Sequence, residues 1–223
     1  MQEPAMNRAS RNYLNRRHLE HFSGDSLFER IARAVCHAGC LPRKELYEAW
    51  EVARRVRRRF RGGRVVDLAC GHGLLAHILL LLDDSSPAAV AVDVHIPASA
   101  GTLAATLTET WPRLQGRIHF ECRDLEQLAL SEHDLVVSVH ACGDLTDRVL
   151  SMAAEARARV AVLPCCHNLD HGDTGGLEGW LDGSLAMDVT RAARLRNHGY
   201  RVFTQTIPAD ITPKNRLLLA EPE

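Results

Sequence analysis

From Arg64 onward the chain alternates short apolar runs with amphipathic stretches, until two last apolar runs are joined by a link too short to hold a helix. That pattern constrains the fold more than any other feature. Arg64–Leu68, Ala88–Asp93, Arg117–Glu121, Asp134–His140 and Ala158–Leu163 read as buried strands. The stretch from Leu74, then Ala98–Trp111, Asp144–Ala156 and Ser184–Asn197, read as the helices between and after them. Strand–helix alternation demands a mostly parallel sheet with right-handed crossovers and helices on both faces. Arg201–Thr206 and Arg216–Ala220 break the rule, because their short link forces the final strand to run antiparallel to its neighbour. The expected class is α/β.

The first 63 residues read as an N-terminal helical segment, and residues 64–223 as the sheet domain. Met1 to His21 is polar and Arg-rich, so little order is expected there. Ser26–Ala38 has helical spacing and stops at Gly39; a second helix runs from about Arg43 to Gly62-Gly63. One face of that second helix carries Arg54, Arg55, Arg58, Arg59 and Arg61, which suit contact with RNA phosphates but equally suit a solvated face. The formal net charge of −1 supplies no general attraction to polyanions, and an aromatic content of 5% offers no stacking platform for single strands. Seven cysteines, an odd number, and no signal-peptide pattern lead to an expectation of free thiols and a cytoplasmic setting. No apolar run is long enough to span a bilayer. The oligomeric state is not legible.

Ligands of such sheets bind beyond the carboxyl ends of the strands, and four strand ends carry suitable chemistry. The first is Asp67-Leu-Ala-Cys-Gly-His-Gly73, where Gly71 and Gly73 permit a tight turn and close approach of a ligand to the backbone near Ala69. A dinucleotide loop would present its glycines to a pyrophosphate; an acidic residue ahead of the glycines suits an ammonium instead. The second is Asp93, able to accept from two ribose hydroxyls. The third is Asp124, placed for an adenine amino group, with Leu125 flanking the ring. The fourth is His140 with Ala141. Any one of these is commonly just a turn former; their joint spacing is what carries the inference.

Five alternating strands closed by a hairpin resemble the Rossmann-like sheet of class I S-adenosylmethionine-dependent methyltransferases, over about Arg64 to Pro222. Within that class, His140-Ala-Cys-Gly-Asp-Leu-Thr146 and Pro164-Cys-Cys-His167 resemble a smaller group. It includes acceptor-stem tRNA 2′-O-methyltransferases and the methyltransferase domain of a glutathione S-transferase C-terminal-domain-containing protein. Ile211-Thr-Pro-Lys-Asn-Arg216 adds to the likeness with the latter. The resemblance implies S-adenosylmethionine as cofactor, held by Asp67, Ala69, Gly71, Gly73, Asp93, Asp124, Leu125 and His140. It points to methylation of RNA, with a protein or small-molecule acceptor, or a non-catalytic cofactor-binding scaffold, as the alternatives. The absence of N-P-P-Y or D-P-P-Y after the fourth strand argues against base-amino methylation.

His140, Cys142, Cys165, Cys166 and His167 are expected to meet at one end of the sheet. His140, Asp144 and His167 are candidates for taking the acceptor's proton. Cys165 could act as a nucleophile, as the Pro-Cys of pyrimidine C5-methyltransferases does, and the cluster could hold zinc. The usual C-x-x-C pairing is missing, so no metal is expected, and packing as small apolar side chains is the simplest reading of Cys166.

Overall fold

The computed structural model describes residues 6–223; the first five residues of the Arg-rich N-terminal stretch lie outside the described residues. Two helices, α1 (Leu27–Ala38) and α2 (Arg43–Arg59), precede the sheet. Then follow β1 (Val65–Leu68), α3 (Leu74–Leu82), β2 (Ala89–Asp93), α4 (Ser99–Thr110), β3 (Ile118–Cys122), β4 (Leu135–Ser138), α5 (Asp144–Glu155), β5 (Arg159–Val162), α6 (Gly183–Asn197), β6 (Tyr200–Thr206) and β7 (Arg216–Pro222). The sheet order is β3-β2-β1-β4-β5-β7-β6, with β7 antiparallel to both neighbours and the other pairings parallel. The expected mixed α/β sheet with its C-terminal hairpin is therefore what forms, and element ends move by no more than two residues.

Strand residues alternate between two apolar layers, as the pleat requires. Val65, Leu135, Val137, Ala161, Leu217 and Leu219 join α1, α2, α3 and α4 in one cluster. Val66, Leu68, Val136, Val160, Val162 and Leu218 join α5 and α6 in the other. The N-terminal helices thus share a core with the sheet. The expectation of little order before Phe22 is corrected from Met6 onward: Leu14 is fully buried, its N–H donates to Leu41 O at 2.9 Å, and Arg16–Phe22 forms a 3-10 helix capped by Asn15. Composition concealed this because a single buried leucine anchors an otherwise polar segment.

The docking of α2 depends on Arg57, which is 2% exposed. Its guanidinium meets Asp83 at 3.1 Å, Leu79 O at 3.1 Å and Ser86 Oγ at 2.7 Å. Gly62 and Gly63, both at positive φ, then turn the chain into β1. A Cβ on Gly63 would lie 2.3 Å from His133 O, so no other residue fits that turn. The β3–β4 connection holds only a short 3-10 helix, Leu125–Gln127, so β3 is only partly covered.

Among the described residues, no helix is long and apolar enough to cross a membrane. Removing one partner of a buried ion pair strands the other charge, so Arg57→Ala is expected to cost roughly 3–5 kcal/mol. Chemical denaturation should show that loss, and Asp83→Ala in the same chain should restore part of it.

Candidate active site

Order reverses between β1 and β4, and the loops after their carboxyl ends bound a narrow cavity. Leu41, Glu45, Ala49, Asp67, Cys70, His72, Leu74, Leu75, Val139 and His140 line it. The loop after β1 owes its shape to three residues at positive φ: Ala69 (55°), Gly71 (53°) and Gly73 (70°). The two glycines serve different ends. A Cβ on Gly73 would strike the Phe120 ring at 2.8 Å, whereas Gly71 faces open space, the kind of backbone surface a ligand can lie against.

Asp67 is 2% exposed and one of its oxygens accepts from Ala76 N–H at 3.2 Å. Burial pushes its carboxyl well above the usual carboxylate range, with only that backbone donor opposing. A buried carboxylate so sparsely paired on a cavity wall fits a cationic ligand group. Asp93 stands at the end of β2, half-buried, where Oδ2 accepts from Gly71 N–H at 3.0 Å and Oδ1 from His95 N–H at 3.1 Å. It therefore ties the β1 loop to β2, and its carboxylate oxygens keep lone pairs for hydroxyl donors.

Asp124 is exposed and caps the 3-10 helix, accepting from Glu126 N–H at 3.1 Å. Leu125 is 4% exposed and points into the core, which leaves its backbone rather than its side chain to flank a ring. His140 presents its ring beside the cavity. Crowding by protein, and then the charge of Lys44, hold its pKa below the ordinary histidine value, so it is neutral near pH 7. Asp144 is exposed in the first turn of α5, where a carboxylate complements the helix dipole.

His167 is placed differently from expectation. Its side chain is 1% exposed and Nε2 donates to Asp188 at 2.8 Å. Asp188 also receives Arg191 at 3.2 Å and Arg216 at 2.6 Å. Burial pushes the Asp188 carboxyl up, but the hydrogen bonds from His167 and Arg216 outweigh it and the net shift is downward. His167 thus pins the segment after β5, and its Nδ1 is buried without a partner. The cysteines do converge: Cys142, Cys165 and Cys166 place their sulfurs within 4.8 Å of one another. The two histidines lie outside that group. Burial and the neighbouring thiols push the Cys165 thiol far up.

Glu45 is the residue that sequence reasoning missed. It lines the same cavity as Asp67, and burial followed by repulsion from Glu48 raises its pKa to about 7, with Lys44 opposing. The signal was a glutamate beside the apolar stripe of α2, indistinguishable from a surface charge until the helix was docked. The Arg face is largely committed elsewhere. Arg54 and Arg55 pair with Glu51, and Arg55 Nε donates to Thr206 O at 3.0 Å. Arg59 lies over the Phe203 ring, and Arg58, Arg59 and Arg61 are exposed.

A family model described as "Methyltransferase domain" matches residues 44–170, more than half of the chain. No curated protein matches the sequence. An O-methyltransferase family protein from Burkholderia thailandensis is similar in structure, at 18% identity and a TM-score of 0.54, over 92% of this chain and 63% of that one. The pyocyanin biosynthetic protein PhzM gives 18% and 0.53, over 93% and 61%. The S-adenosylmethionine-dependent methyltransferase SibL, in its apo form, gives 18% and 0.53, over 92% and 65%. The chain spans less than two thirds of each of these proteins, and at such identity the likeness is one of fold.

Two outcomes follow for S-adenosylmethionine. Asp93→Ala should weaken its binding by on the order of 1–3 kcal/mol in calorimetry, because hydroxyl donors lose a charged acceptor; unchanged affinity would remove Asp93 from the site. An ammonium beside Glu45 favours the ionised carboxyl, so binding should release a proton below about pH 7 and weaken as the pH falls further. Calorimetry in buffers of different ionisation enthalpy measures that proton, and Glu45→Gln should abolish its release.

Proposed function

Because the chain belongs to the methyltransferase-domain family matched over residues 44–170, it is an S-adenosylmethionine-dependent methyltransferase, and we propose that its acceptor is RNA. The cofactor site is supported by Asp67 on the cavity wall and, after the same strand, by the open backbone at Gly71 held to Asp93. When bound, S-adenosylmethionine supplies a methyl group already activated on a sulfonium.

The chain's own residues then have four tasks. Asp67 and Glu45 are the carboxylates for the methionine ammonium. Asp93 accepts from the ribose hydroxyls, and Asp124 with the Leu125 backbone meets the adenine. His140, neutral at pH 7, is the group able to take the proton of a hydroxyl or amine acceptor, either directly or through water. Alignment of acceptor and donor accounts for much of the rate, since the leaving group needs no activation.

The RNA reading rests on the His140–Thr146 and Pro164–His167 motifs and on the exposed Arg58 and Arg61. Arg58 is displaced along α2 from Glu45 by roughly 20 Å, at about 1.5 Å per residue, and Arg61 follows just past the end of the helix. An acceptor that meets both must be a polymer. One observation favours a small-molecule acceptor instead: a cavity of about 550 Å³ bounded by Pro164, Leu185, Val189, Leu218, Asp188 and Arg216, a size suited to an organic ligand.

Labelled S-adenosylmethionine, incubated with the protein and a fractionated extract from cells lacking it, separates these readings. Label is expected in nuclease-sensitive material. Label that partitions into organic solvent, or that only protease releases, would sink the RNA reading while leaving methyl transfer intact. Arg58→Glu with Arg61→Glu should lower RNA methylation on the order of tenfold or more near physiological salt, since each lost phosphate contact forfeits counterion release. S-adenosylmethionine affinity should stay unchanged in that variant.

A further inference from the structure

We propose that Cys142, Cys165 and Cys166 form a zinc site, a three-thiolate cup between the loops after β4 and β5. The inference concerns a metal site and is independent of which acceptor the enzyme methylates. It also revises the expectation, drawn from the missing C-x-x-C pairing, that no metal is bound.

Geometry carries it. The Sγ atoms of Cys142 and Cys165 are 3.0 Å apart, those of Cys165 and Cys166 are 3.8 Å apart, and all three lie within 4.8 Å of one another. A zinc–sulfur bond of about 2.3 Å with tetrahedral angles requires sulfur–sulfur separations of about 3.8 Å. One pair already has that spacing and the closest pair must part by less than an ångström. Cys142 and Cys166 are exposed and Cys165 is half-buried, so an ion can enter. Three protein ligands leave a fourth position open to water or another donor, the arrangement that distinguishes reactive zinc sites from closed structural ones.

The loops are braced independently of any ion. Gly143 N–H donates to Cys166 O at 2.8 Å and joins the two loops directly beside the thiols. Thr146 Oγ1 donates to Ala141 O at 2.6 Å on one side, and the His167–Asp188 bond of 2.8 Å fixes the other. Such fixed hydrogen-bonded surroundings are what orient metal ligands. Zinc on three thiolates carries one net negative charge. Cys142 sits just before the first turn of α5, where the helix dipole favours a negative charge. Each zinc–sulfur bond forms as its thiol proton passes to solvent.

Elemental analysis of the full-length protein, purified without chelator in reducing buffer, is expected to find about one zinc per chain. Stripped protein should regain it from zinc chloride alone. Cobalt in its place should give an intense sulfur-to-metal charge-transfer band. Cys142→Ser and Cys165→Ser should each cut zinc occupancy at least tenfold, whereas Cys122→Ser, exposed but remote from the cluster in the sheet, should retain it. Should the serine variants misfold, maleimide labelling of the unmodified protein still decides the matter: zinc should shield Cys142 and Cys166 while Cys122 reacts equally with and without it. No zinc above background, unaltered labelling, or a Cys142–Cys165 disulfide that persists with equimolar zinc in reducing buffer would each overturn the site.

Discussion

The buried guanidinium of Arg57 is the contact on which the arrangement of the site depends. It satisfies Asp83, Leu79 O and Ser86 at once, so it holds α2 at one depth and one rotation against α3. A charge in that environment tolerates little displacement, because any slip leaves it unpaired in a low-dielectric interior. With the last turn of α2 fixed, its first turns lie beside the loops after the carboxyl ends of the strands. Glu45 and Ala49 thereby line the cavity together with Asp67 and His140. The N-terminal helix is thus part of the site as well as part of the core.

Much of the fold was legible because its determinants are local. Val65 to Leu68, Ala89 to Asp93 and Val136 to Ser138 are apolar runs too short for helices, and their flanking glycines and aspartates mark where each ends. Asp67, Gly71 and Asp93 were legible as candidate site residues because strand ends in an open α/β sheet must face one crevice. Glu45 was not. The rotation of α2 is set by a buried ion pair that no helical periodicity reports, since Arg57 sits among exposed arginines in the same run. Cys142 and Cys165 are 23 residues apart in sequence and meet only because β4 and β5 are adjacent and parallel. That adjacency was legible, so the thiols were expected at one end of the sheet, although a spacing rule built on one loop argued against a metal there. Leu14 was hidden for a similar reason, as one apolar side chain in a polar stretch carries no period.

His167 shows how a residue picked out for chemistry can also be bound into the framework. Its motif places it at the end of β5 beside the cleft, yet its ring turns inward and is held by Asp188. Asp188 in turn draws in Arg191 and Arg216, so the last helix, the last strand and the segment after β5 share one carboxylate. A polar knot of that kind fixes geometry through mutual satisfaction of its members. His140, by contrast, stays exposed and lines the cavity.

The turn at Gly63 carries a mechanical meaning. Diglycine between a helix and a sheet is usually a loose tether, but here the backbone is wedged against His133 O with no room for a single methyl group. Arg159 clamps the same turn from β5 through Arg61 O and Gly62 O. A joint that is sterically full and doubly bonded transmits force instead of absorbing it. The helix that walls the cavity and the sheet that floors it therefore behave as one stiff lever. Any widening of the crevice for a bulky guest must therefore come from somewhere other than this joint.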